Sequence, residues 1–118
     1  MVASESMRTL YRITRTSPPT EEDFWSHAQR GIRPYSDDPE VLRCWTGVSF
    51  HDSFRSAVRK ARRVPNLGQF IAEIRLPVGG VFRIEKTMND PSHFTIWGDA
   101  ADLLATVVRV ARVPDVVR

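Results

Sequence analysis

The chain has one cysteine in 118 residues, Cys44, so no internal disulfide can form and the fold rests on packing alone. A chain of this length buries roughly two-thirds of its unfolded surface and needs no such staple. Cys44 lies between Arg43 and Trp45 and reads as a packing thiol, the usual fate of a free cysteine. With one thiol a structural zinc is not expected, and His27, His51 and His93 are too scattered to suggest a metal by spacing. No apolar run approaches the roughly 20 residues of a membrane helix. Residues 1–8 lack the apolar core of a signal peptide, so the cytoplasm is the expected setting. The familiar catalytic signatures are missing as well: GxGxxG, the Walker loop, HExxH, GxSxG and CxxC. There is no internal repeat, low-complexity tract or linker.

What is present is the composition of a globular domain, 42% hydrophobic and 26% charged. The expectation is a single domain over residues 1–118, frayed at 1–6 and 115–118. The net charge of +3 is unevenly placed. Residues 1–52 hold six basic and eight acidic residues, and residues 53–118 hold eleven basic and six acidic. An anionic partner is therefore expected at the C-terminal half.

Residues 7–14 alternate as a first strand, which Pro18 and Pro19 end. Thr20 followed by Glu21, Glu22 and Asp23 reads as a helix start, with the helix running to Gly31. Asp38-Pro39 opens a second helix that stops at Gly47. Residues 47–50 are strand-like. His51 and Asp52 read as turn and cap before a third helix, where Phe54, Ala57, Val58 and Ala61 share one face. Residues 69–76 and 81–87 read as strands joined in a hairpin through Pro77 to Gly80. Residues 93–97 and 104–113 complete the strands, with a helical turn at 99–103. Helices lie early and strands late, which predicts an α+β fold with a mixed or antiparallel sheet of about six strands.

The densest polar cluster is His93-Phe94-Thr95-Ile96-Trp97-Gly98-Asp99. Strand periodicity gives Phe94 and Ile96 one face and His93, Thr95 and Trp97 the other. A strand with one polar and aromatic face is a candidate pocket wall; the plainer reading makes Trp97 core and Asp99 a helix cap. Arg12 sits mid-strand beside Tyr11, either gripping an anion in a cleft or lying at the surface. Ser49, on a short strand between Val48 and Phe50, offers a small hydroxyl to a ligand or to the backbone. Arg55, Arg59 and Arg62 share a face of the third helix, either as a phosphate-binding stripe or as a solvated surface.

Taken in order, Leu10-Tyr11-Arg12, Gly47-Val48-Ser49-Phe50 and the 93–99 segment resemble small bacterial proteins, actinobacterial in character, over most of the chain. More distantly, the layout resembles the core of the ADP-ribosyltransferases. That fold places an Arg or His on its first strand, a Ser or Tyr on a second strand entering a helix, and a Glu on a later strand. The resemblance implies that Arg12 and Ser49 grip a nicotinamide nucleotide, with NAD as cofactor. It also implies that Tyr11 or Trp97 stacks the nicotinamide. The carboxylate position falls to Glu85 or Asp99, since no Glu follows Glu85 and no Glu-x-Glu pair exists. Two other classes of function compete. One is a non-enzymatic partner or accessory protein of a bacterial operon, of the toxin–antitoxin kind. The other is nucleic-acid binding through residues 53–63.

Overall fold

Two-residue alternation builds this molecule, because its central strands serve a core on both sides of one sheet. A computed structural model describes residues 7–77 and 79–114, so the expected frayed ends lie outside the described residues. The strands are β1 (Met7–Thr14), β2 (Val48–His51), β3 (Phe70–Pro77), β4 (Arg83–Lys86), β5 (His93–Trp97) and β6 (Val107–Arg112). The helices are α1 (Pro39–Trp45), α2 (Phe54–Arg63) and α3 (Ala100–Leu104). All strand pairings are antiparallel, in the order β4-β5-β2-β1-β3-β6, which makes the fold α+β.

Residues paired across antiparallel strands share a face. One face carries Leu10, Phe50, Ile74, Leu76 and Ile96, covered by Phe24, Ala100 and Leu103. The other carries Ile13 and Ile71, covered by Ala57, Val58 and Ala61 of α2. Each such side chain, fully buried, contributes about 1.5–3 kcal/mol. The caps are those the sequence announces. Asp38 accepts from the Glu40 amide, Ser53 from Ser56, and Asp99 from Ala101 and Asp102.

Three expectations need correction. The helix expected from Thr20 to Gly31 is one 3-10 turn, Glu21–Phe24, followed by irregular chain. The Asp23 carboxylate turns back to accept from the Arg15 and Thr20 amides and the Thr16 hydroxyl, and Phe24 is drawn wholly into the core. Those bonds fold the segment into a compact loop instead of a helix. The hairpin expected between residues 69–76 and 81–87 does not form. β3 has Ala72, Glu73 and Ile74 buried in succession, which marks a central strand, and β1 and β6 occupy both its edges. β4 pairs with β5 at the far edge instead. His51, read as a turn residue, belongs to β2 and pairs with both Tyr11 and His93.

The sheet has one weak seam. β1 and β3 pair from Met7↔Pro77 to Thr14↔Phe70, whereas β1 and β2 meet at Tyr11↔His51 alone. Beyond that pair the two strands part.

The end of β1 is closed by Gly68, whose φ of +148° suits glycine. A Cβ there would lie 2.1 Å from the Thr14 carbonyl oxygen. Gly68→Ala is expected to cost about 2–4 kcal/mol in urea unfolding, through backbone strain and displacement of β1. A variant within about 0.5 kcal/mol of the wild type would show that this turn yields freely.

Candidate functional site

The seam between β1 and β2 opens into the principal cleft of the molecule, a cavity of about 370 Å³. Alternation puts Arg12 on the face opposite His93, yet both line this cleft, because the strands part where Arg12 emerges. The Arg12 guanidinium spans the seam. Its Nη1 donates to the Ser49 carbonyl at 3.0 Å and its Nε to the Asp23 carbonyl at 3.0 Å. Ser49 is exposed and His51 buried on the β2 side. Lys60 of α2, with Val64 and Leu67 just beyond that helix, forms another wall. Arg15, His27 and Arg30 come from the irregular segment that Phe24 anchors, and Met88 and Asp90 from the β4–β5 loop.

A second cavity of about 130 Å³ adjoins the first and shares His27, Ser49, Met88 and His93 with it. Its remaining lining is Arg33 together with the apolar and aromatic Pro34, Tyr35, Val41, Cys44 and Trp45. Trp45 is fixed by donation from its indole to the Ile32 carbonyl at 2.6 Å. The cleft thus has a basic half and an aromatic half, with Ser49 and His93 at their junction.

The charges follow from these neighbours. Burial, reinforced by Arg30, lowers the Arg12 pKa to about 10, which leaves it a cation at neutral pH. Burial works to raise the Asp23 carboxyl. Hydrogen bonds from Thr16, Thr20 and Arg15, with the Arg12 charge, overcome it and hold the group below its ordinary value. Burial also lowers all three cleft histidines. For His27 the charges of Arg12 and Arg30 add to it. For His93 the charges of Lys60 and Arg12 do the same, against Thr87 and Asp90. His51 falls furthest, to about 4, through burial and then the neighbouring His93. The His51 and His93 rings meet edge to face, 5.8 Å apart. The imidazoles are therefore neutral at pH 7, and the positive charge resides on Arg12, Arg15, Arg30 and Lys60.

The residues expected to share a site divide into two groups. Arg12, Ser49 and His93 converge on the cleft. Thr95 is fully buried behind it, 2.7 Å from Thr87 Oγ1, which lies 3.0 Å from His93 Nδ1. Tyr11 faces a separate cavity with Phe54, Glu73 and Arg109, its ring edge-on to Phe54 at 6.1 Å. Trp97 lies outside the cleft. Its indole donates to the Arg43 carbonyl and the Thr46 hydroxyl, and the Arg43 and Arg83 guanidinium groups cover the ring at 5.1 and 5.2 Å. Glu85 pairs with those same arginines, and Asp99 caps α3. Neither carboxylate lines the cleft; Asp23 and Asp90 do. Arg55, Arg59 and Arg62 are exposed on α2, and Arg62 donates to the Pro114 carbonyl.

Sequence reasoning missed His51, Lys60 and Trp45. The signal for His51 was the two-residue spacing from Ser49, which puts both on one face once the strand is carried one residue further. Among the described residues no group of three or more His, Cys, Asp or Glu is placed to hold a metal, and no helix is long and apolar enough to cross a membrane. Comparisons with protein-family models, with curated proteins and with solved structures return no match.

The His51 shift carries a sign. Between about pH 6.5 and 4 the unfolded imidazole binds a proton that the folded one excludes. Stability from this group is complete above about 6.5 and falls as pH drops toward 4. Urea unfolding at pH 7 and pH 4.5 should show wild type losing on the order of 1–2 kcal/mol more than His51→Phe, after allowance for solvent screening. Equal losses in the two proteins would mean that His51 titrates normally.

Proposed function

We propose that this chain binds a nicotinamide nucleotide in the cleft of an ADP-ribosyltransferase-like core. The phosphates lie against Arg12 and Lys60, and the ring lies against Trp45 and Tyr35. One observation carries the reading. The Lys60 ammonium has no hydrogen-bond or ion-pair partner among the described residues, and the Arg12 guanidinium bonds only to backbone carbonyls, yet both line one concave site. Cations in a cleft that bond to no carboxylate suit an anion, and phosphate oxygens suit a guanidinium. The adjoining aromatic cavity supplies the flat apolar wall that a heterocycle takes. The larger cavity, and the two taken together, fall within the range of small-molecule sites.

The order of the residues supports the family likeness: Arg12 on the first strand and Ser49 on the second, which leads into α2. Binding is the activity these groups support. Of the two carboxylates in the cleft, Asp23 is spent on the Arg15 and Thr20 amides and the Thr16 hydroxyl, and Asp90 is held by Ser92. The setting we propose is a bacterial cytoplasm.

Thermal shift and calorimetric titration test this with NAD and with inorganic pyrophosphate. Both ligands should raise the wild-type melting temperature. Lys60→Gln removes a charge but no protein contact, so it should leave the unliganded melting temperature unchanged. It should weaken both ligands about tenfold, the worth of one charge-assisted hydrogen bond. No shift of the wild type at millimolar ligand would end the reading.

A further inference from the structure

The protons of a buried hydroxyl chain can be counted. Thr95 Oγ1 is fully buried, and its recorded side-chain partner is Thr87 Oγ1 at 2.7 Å. Thr87 Oγ1, also buried, touches His93 Nδ1 at 3.0 Å. Each hydroxyl has one proton to place. If Nδ1 carried a proton, it would donate to Thr87, Thr87 would donate to Thr95, and the Thr95 proton would be stranded in the interior. A stranded buried donor costs far more than a satisfied one. In the opposite order Thr95 donates to Thr87 and Thr87 donates to a bare Nδ1, and every proton is used. The neutral ring then carries its proton on Nε2. That atom has no partner among the described residues, and it is not among the buried unsatisfied atoms. The backbone secures the same ring, since the Thr87 amide donates to the His93 carbonyl at 3.1 Å.

His93 lines both cavities, beside the Ser49 hydroxyl, where the basic half meets the aromatic half. In a nucleotide laid along the cleft, the group at that junction is the sugar between phosphate and ring. We infer that His93 is a specificity-determining residue: a neutral Nε2–H donor, oriented by the Thr95–Thr87 hydroxyl chain, that bonds an uncharged oxygen of the ligand's ribose. This rests on the nucleotide reading above and adds to it a group that reads the sugar and ignores the phosphates. A positioned uncharged donor discriminates strongly, because a ligand lacking the acceptor leaves the donor unpaired in a desolvated site.

Two measurements test the inference separately. In the ligand-free protein, nitrogen-detected NMR of the His93 ring at pH 7 should show a protonated Nε2 and a bare Nδ1. A protonated Nδ1 overturns the proton count whatever the protein binds. Titrations with NAD and with pyrophosphate then test the ligand. His93→Leu should weaken NAD about tenfold and leave pyrophosphate within twofold. His93→Gln places an amide N–H near the position of Nε2 and should recover most of the NAD affinity. Thr87→Val keeps the imidazole but breaks the chain, and should weaken NAD severalfold. NAD binding by His93→Leu equal to wild type, or an equal loss of pyrophosphate, overturns the sugar contact. So does a His93→Gln variant that folds but binds no better than His93→Leu. Wild type that binds pyrophosphate but not NAD overturns the sugar contact and leaves the anion site standing. Wild type that binds neither overturns the nucleotide reading and the sugar contact with it, while the spectrum still decides the tautomer.

Discussion

One ladder pair and one guanidinium join the two halves of the sheet. β1 and β2 meet at Tyr11↔His51 and then part, and Arg12 reaches across the gap to the Ser49 carbonyl. Its other bond, to the Asp23 carbonyl, ties the 15–33 segment to the same point. Taking a cation out of water costs several kcal/mol unless dipoles and charges answer it. Here two carbonyl oxygens and the nearby Asp23 charge do so in part. The cleft exists because the seam is bridged by a side chain and not closed by a ladder. A continued ladder would bring Ser49 against Ile13 and leave no room for a ligand.

Burial sets the protonation of the cleft histidines, and the nearby cations add to it. Arg12 and Lys60 help hold His93 neutral, Arg12 and Arg30 do so for His27, and Lys60 contributes at His51. The charge of the cleft thus lies on its arginines and Lys60, and the imidazoles are left as uncharged hydrogen-bonding groups. This division of labour suits a ligand with both phosphates and hydroxyls.

Much of the fold was legible in the sequence because its signals are local. The alternation of β1, β3 and β5, the Asp38-Pro39 and Ser53 caps and the apolar face of α2 need no distant partner to be read. The failures share one cause, which is tertiary competition for a local signal. Glu21 to Asp23 carry good helix-start chemistry, but the Asp23 carboxylate is claimed by Arg15 and Thr16, which lie before the turn. Pro77 to Gly80 is a plausible hairpin turn, but β3 needs partners on both edges and takes β1 and β6. The site was half legible for the same reason. Arg12, Ser49 and His93 stood out as polar residues on strands, whereas Lys60 looked like one more cation on a basic helix. Only the packing of α2 against the seam distinguishes it from Arg59 and Arg63.

Trp97 shows why a polar strand face is not uniformly a pocket wall. It lies four residues beyond His93 on β5, about 13 Å along an extended chain. That distance carries it out of the cleft and under Arg43 and Arg83, which Glu85 holds over the ring. The aromatic end of the cleft is supplied instead by α1, through Trp45. Two indoles fix that helix. Trp97 donates to the Arg43 carbonyl and the Thr46 hydroxyl, and Trp45 donates to the Ile32 carbonyl. A seven-residue helix has little stability of its own, so these anchors hold its place. Because these bonds fix α1, the Trp45 wall is preformed, and preformed walls spare a binding site the entropy of ordering them.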